Sequence, residues 1–184
     1  MLVGSAIRLD LRVEELIALG ACAGSSTASP APPSPSPALG TPGCIAREAA
    51  EFDFWVGSWT GTWTDAQGTA TASDIVINAG CEIDEKFTAA RFLGHDRYSA
   101  TSRSHWDLVL GKWVQDYRDS VGERSRWLGG FANGAMTLVG PQVGGRQQRV
   151  IWRDIRSDGW TWEYDSSADG QTWSALVVVS YRRA

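Results

Sequence analysis

Beyond residue 44 the hydrophobic and polar positions alternate, with little helical spacing. Trp113, Gln115, Tyr117 and Asp119 share one face of an extended segment, opposite Lys112, Val114, Asp116 and Arg118. Trp160, Trp162 and Tyr164 alternate with Thr161, Glu163 and Asp165, and Trp59, Gly61 and Trp63 with Ser58, Thr60 and Thr62. A period of two belongs to strands with one covered face and one wet face. Read this way, the chain predicts strands at 58–64, 69–77, 81–88, 98–106, 112–119, 124–128, 135–139, 148–155, 160–165 and 174–182. The punctuation includes Asp65-Ala66-Gln67-Gly68, Asn78-Ala79-Gly80, Ala132-Asn133-Gly134, Ser157-Asp158-Gly159 and Asp169-Gly170, all with residues tolerant of positive φ. Residues 45–52 are the one helical stretch, and it is short.

About ten antiparallel strands without crossover helices curl or close to remove their edges. The expectation is an all-β, up-and-down antiparallel barrel of about ten strands, preceded by a short helix and a disordered N-terminal tail. A two-sheet sandwich is the alternative. Composition places the boundary near residue 44, because six of the seven prolines fall between 25 and 43. Such a Pro/Ser-rich segment buries too little apolar area to offset its ordering entropy, and reads as a tether. The expected organisation is a leader over 1–24, a linker over 25–43 and the barrel over 44–184.

Leu19-Gly20-Ala21-Cys22 follows a short apolar run and looks like the end of a bacterial lipoprotein signal, with Cys22 as the lipidated residue. Asp10, Arg12, Glu14 and Glu15 interrupt the apolar region that such a signal needs. The expected location is the cell envelope or outside the cell, with the cytoplasm as the alternative. Cys44 and Cys81 remain as a pair that could close a disulfide in an oxidising compartment, or stay two buried thiols. No Cys-x-x-Cys occurs, and two histidines at these positions do not complete a zinc site. No metal is expected.

A net charge of −4 argues against a nucleic-acid partner. No run approaches the ~18 apolar residues of a membrane helix, so membrane association would come only through a lipid anchor. Ten Trp beside two His is the unusual balance. Indoles suit pleated surfaces and aromatic-lined sites.

The segment Phe52-Asp53-Phe54-Trp55-Val56-Gly57-Ser58-Trp59 resembles the opening of a bacterial family of unknown function, Phe-Asp-Phe-Trp-x-Gly-x-Trp. Gly80-Cys81, Gly111-Lys112-Trp113-Val114-Gln115, Asp169-Gly170 with Thr172-Trp173, and Tyr181-Arg182-Arg183 look similar in order, so the likeness spans about 44–183. It implies a calycin-like barrel, of the group that holds lipocalins, fatty-acid-binding proteins and nitrobindin-like proteins, and no settled activity. Gly57-Ser58-Trp59 fits the calycin Gly-x-Trp signature. The resemblance makes Trp59 a barrel-closing residue with Arg182 stacked across it, Arg183 being second. Nitrobindin-like barrels hold haem through a late His, and no His follows His105 here, so no haem or other cofactor is expected.

Trp113, Gln115, Tyr117, Trp127, Trp152, Trp160 and Trp162, if turned inward, make an aromatic pocket for a small apolar or aromatic ligand. The same rings could instead fill the interior as an ordinary core. A cavity enzyme of isomerase or decarboxylase type would draw on Glu163, Asp116, Arg126, Arg153 and His105, although Glu163 alternates away from Trp162. No Ser-His-Asp order, phosphate loop or nucleophile elbow occurs. A carbohydrate or adhesion module would need Trp on the outer face. Ser167-Ala168-Asp169-Gly170-Gln171-Thr172-Trp173 resembles an Asp-box hairpin, and a single copy builds a turn, not a propeller.

Overall fold

Each strand pairs antiparallel with the one before it, in the order β1 (Gly57–Asp65), β2 (Gly68–Asn78), β3 (Ile83–Phe92), β4 (His95–Asp107), β5 (Lys112–Asp119), β6 (Arg124–Ala132), β7 (Ala135–Val139), β8 (Gln147–Arg156), β9 (Gly159–Ser167) and β10 (Ser174–Arg183). The computed structural model describes residues 45–184. β1 also pairs with β10, Trp59 opposite Arg183 and Thr62 opposite Ser180, so the sheet closes on itself. Closure leaves no open edge to template aggregation. The architecture is the all-β, ten-stranded up-and-down barrel read from the alternation, and not a sandwich of two sheets. The expected leader and linker, with Cys22 and Cys44, lie outside the described residues.

Side-chain parity sorts the wall. Trp59 and Trp63, Asp74 and Val76, Ile83 and Phe87, Trp113 and Gln115, Val150 and Trp152, and Val179 and Tyr181 are buried on the inner face. Two bulges break the ladder, one between Ala175 and Val177 and one between Arg153 and Arg156. The second holds Asp154 in the left-handed region, at φ 55°. Hairpins alternate between the two ends. Those joining β1–β2, β3–β4, β5–β6, β7–β8 and β9–β10 form one rim, while the others, the start of β1 and the end of β10 form the opposite one.

That opposite rim is the floor, and the segment before β1 closes it. The helix expected over 45–52 is instead two 3-10 turns, Arg47–Ala50 and Asp53–Trp55, with Phe52 at the break between them. Neither turn has a side-chain cap, and the segment is too short for helix propensity alone to hold it. Tertiary packing decides its shape. Phe52 is fully buried, edge-on to Trp113 at 4.9 Å and to Trp152 at 5.0 Å. Trp113 Nε1 donates to Glu51 Oε2 at 3.2 Å, and Trp59 Nε1 to the Trp55 carbonyl at 2.7 Å.

The cation over Trp59 is Arg183, whose Cζ lies 4.4 Å from the ring centroid, and not Arg182. Parity explains the correction. Tyr181 and Arg183 share the inner side of β10, and Arg183 is the direct cross-strand partner of Trp59, whereas Arg182 points outward and is exposed.

Gly61 matters to the same corner. A Cβ there would come within 2.9 Å of both Tyr181 Cε1 and Val179 Cγ1. Its absence lets Tyr181 lie across β1 and stack on Trp160, with centroids 3.9 Å apart and planes 14° apart.

Candidate functional site

Above this floor the barrel encloses a cavity of about 260 Å³. Of the residues expected to form a pocket, Gln115, Tyr117, Trp127, Trp152, Trp160 and Trp162 line it, while Trp113 does not. Trp113 lies one inward step below Gln115 on β5, where Phe52 covers it, so it belongs to the floor. The lining reaches the surface at the rim opposite the floor, where exposed Leu93 and Val143 border it. A cavity of about 150 Å³ is known to take up benzene. This one has room for a molecule of one or two fused rings.

Several features hold the walls apart. Gly140 leaves space for the Trp127 indole, since a Cβ at that position would sit 2.5 Å from its ring. Leu93 and Gly94 make the two-residue β3–β4 turn with φ of 47° and 81°. Positive φ at both central positions suits Asn-Gly. Leucine in that place accepts a backbone cost and carries an apolar side chain to the mouth. Beneath it the Tyr98 and Tyr117 hydroxyls lie 2.5 Å apart, and Tyr98 donates to Asp119 Oδ2 at 2.7 Å. Asp119 Oδ1 accepts the N–H groups of Val121 and Glu123, which fixes the β5–β6 hairpin. Burial pushes both tyrosine hydroxyls above their ordinary range, so they stay protonated at neutral pH.

Two carboxyls that the sequence reading did not single out stand deeper in the cavity. Asp74 is 1% exposed, and its Oδ2 accepts from Trp55 Nε1 at 3.4 Å. Its Oδ1 has no partner. Glu85 Oε2 accepts the Ser102 hydroxyl at 2.5 Å, and Gln115 Nε2 donates to Ser102 and Ser104 at 3.3 and 3.2 Å. Loss of water raises the Glu85 carboxyl to about 7 against the opposing Ser102 bond. Burial, and then the charge of Glu85, raise Asp74 well above the carboxylate range. Three further polar atoms on the lining residues are buried without a partner: Gln148 Oε1, Trp152 Nε1 and Trp160 Nε1.

Parity had concealed Asp74. The apolar members of that strand, Ile75 and Ile77, are 46% and 54% exposed, while the inner positions are Ala70, Ala72, Asp74 and Val76. Glu85 was more legible, since it falls between Ile83 and Phe87 on one face.

The enzyme-type set of polar residues is dispersed. Glu163 pairs with Arg153 at 2.8 Å and Asp116 with Arg126 at 2.7 Å on the outer wall, and His105 is buried but does not line the cavity. A second concavity along β3–β6 shares Glu85, Tyr117 and Ser125 with the cavity and is bordered on its outer side by Arg103 and Arg126, which are already paired with Asp84 and Asp116. In the Ser167–Trp173 turn Asp169 Oδ1 accepts the N–H groups of Gln171 and Thr172, both at 2.8 Å, and Arg149 lies 4.2 Å over the Trp173 ring. Cys81 is disulfide-bonded. Cys44, its expected partner, lies outside the described residues.

No family model matches the chain, and no curated protein matches it. The Phe-Asp-Phe-Trp resemblance therefore stays an expectation. Among solved structures the chain is similar to the crystal structure of Rv2717c from M. tuberculosis, at 12% identity and a TM-score of 0.49, over 76% of this chain and 98% of that one. A likeness so distant carries no argument about function.

Proposed function

We propose that this barrel binds a small, largely aromatic ligand in its interior and does so without catalysis. The single observation that carries this reading is the cavity itself: rings that a filled core would press together instead surround about 260 Å³ of space. Eleven of its twenty-three lining residues are Trp, Tyr or Phe, which suits a flat guest held by offset and edge contacts. The set read from the sequence for an isomerase or decarboxylase is dispersed, with Asp116–Arg126 and Glu163–Arg153 paired on the outer wall and His105 away from the cavity. A carbohydrate platform is disfavoured because Trp59, Trp63, Trp113, Trp127, Trp152 and Trp160 are buried inside. We further propose export to the cell envelope or beyond, with Cys22 as a lipid anchor and Cys44 as the partner of Cys81; the disulfide at Cys81 supports an oxidising compartment.

The test is native mass spectrometry of the protein purified from its own host, combined with titration of 1-naphthylmethanol followed by Trp fluorescence. A co-purifying small molecule, or saturable binding that Trp162→Ala weakens at least fivefold, is the expected result. A protein that carries no small molecule and shows no saturable response to 1-naphthylmethanol overturns the proposal.

A further inference from the structure

The charge lining the cavity is one-sided. Asp74, Glu85, Asp119 and Glu123 border it, and none of its lining residues is Lys, Arg or His. On the outer wall, by contrast, Arg91, Arg103, Arg126 and Arg153 each meet a carboxylate within 2.8 Å. The chain thus supplies guanidinium partners freely outside and none within. A carboxyl set in an aromatic enclosure with no protein cation is costly to ionise, and here there are two on adjacent strands. Asp74 on β2 and Glu85 on β3 lie on the same inner face, two residues off direct register, since Asp74 pairs with Phe87 and Val76 with Glu85.

An independent observation points the same way. The Asp74 Oδ1 atom is buried without a donor, and so is Gln148 Oε1 across the cavity. Both are acceptors. Around them stand Trp55, Trp152, Trp160, Trp162 and Tyr181, whose ring faces attract a positive charge. Acceptors without donors, carboxyls without counter-ions and indoles without a cation are all met by one kind of group.

We infer that the natural ligand is an organic cation, an aryl- or alkylammonium whose charged nitrogen sits against Asp74 and Glu85 while its apolar body occupies the aromatic cavity. This rests on the binding role proposed above and specifies its chemistry. The unpartnered indole N–H groups of Trp152 and Trp160 are then met by an acceptor atom on the same molecule. Binding draws the carboxyls into their charged form, because a nearby positive charge favours it, so uptake of the cation releases a proton to solvent. The groups facing the pair from other elements do not titrate in competition near neutrality. They are Trp55 from the floor, Ser102 on β4, Gln115 and Tyr117 on β5, and Tyr181 on β10, whose hydroxyl is also pushed up by burial and by both carboxyls. Asp119 and Glu123 stand nearer the mouth and add negative potential there.

The experiment compares three probes of nearly equal shape on the intact wild-type chain: 1-naphthylmethylammonium, 1-naphthylmethanol and 1-naphthoate, each titrated at pH 5 and pH 8. At pH 8 the ammonium should bind at least tenfold more tightly than the alcohol, and the carboxylate should not bind measurably. At pH 5 the preference should narrow to about twofold. Calorimetry in two buffers of different ionisation heat should register proton release with the ammonium and none with the alcohol. Glu85→Gln and Asp74→Asn should each erode the preference of the ammonium over the alcohol. If the alcohol binds as well as the ammonium at pH 8, or if no proton is released, the cationic assignment is overturned and the cavity remains an apolar binding site. Failure of all three probes overturns the binding role along with it. None of these readings depends on a variant folding, since the wild-type comparison decides.

Discussion

Replacing Glu85 by Gln tests the electrostatics of the cavity in the absence of any ligand. The carboxyl is raised from an ordinary 4.5 to about 7 by its loss of water. Between those two pH values the folded chain holds a proton that the unfolded chain has released. Stability then falls as pH rises, by about 1.4 kcal/mol per pH unit. The penalty is absent below pH 4, grows through the window, and reaches at most about 3 kcal/mol by pH 8. Asp74, raised in the same direction, adds to the slope. Glutamine keeps the volume, and its amide oxygen can still accept the Ser102 hydroxyl, but it cannot ionise. The variant should match wild type within about 1 kcal/mol at pH 5 and exceed it by about 2–3 kcal/mol at pH 8, which is roughly 10 °C in Tm for a domain of this size. Guanidinium unfolding followed by Trp fluorescence at pH 5, 6, 7 and 8 measures both slopes. Asp65 and Asp84, held below the ordinary range by Arg91 and Arg103, contribute stability that is fully present across this window and is lost only as pH falls below it, in both proteins alike, so they cancel in the difference. Parallel slopes for the two proteins, or a variant less stable than wild type at pH 8, would refute the account of Glu85 as a desolvated cavity carboxyl.

Other consequences follow from packing. Arg183→Gln should lose about 0.5–1 kcal/mol, the worth of an exposed cation–π contact, while Arg182→Gln should change denaturation midpoints hardly at all; the reverse ranking would restore Arg182 to the Trp59 face. Gly61→Ala should destabilise by about 1–3 kcal/mol through overpacking against Tyr181 and Val179, with a near-ultraviolet circular-dichroism change from the displaced Tyr181–Trp160 stack. A neutral outcome there would mean that the corner is loosely packed. Leu93→Asn should raise stability by roughly 1 kcal/mol, because Asn tolerates the left-handed backbone that Leu adopts at φ 47°. The same change should speed release of a bound naphthyl probe in stopped-flow fluorescence. A slower release would show that Leu93 does not border the exit.

The alternation of Trp113, Gln115 and Tyr117, and of Trp160, Trp162 and Tyr164, carried the barrel and most of its lining, because covered and wet faces leave a period of two that no turn chemistry can disguise. It failed where apolar content and orientation disagree. In β2 the isoleucines face outward and an aspartate faces in, since Ala70 and Ala72 give room for neighbouring rings and Asp74 meets Trp55 Nε1. A hydrophobicity scale assigns that strand the wrong inner side. Depth was equally illegible. Trp113 and Trp152 lie on inner faces alike and both meet Phe52, from a segment far away in sequence, yet only Trp152 also borders the cavity. The choice between Arg182 and Arg183 was a matter of counting residues by twos from Tyr181.

Both the entry to the first strand and the exit from the last lie at the floor, where the Ala184 N–H donates to the Ser58 carbonyl at 3.0 Å. Whatever is joined directly to Ala184 is therefore attached behind the vessel and not across its opening. An affinity tag or a fluorescent fusion at that end would leave the rim bordered by Leu93 and Val143 facing away from the attachment.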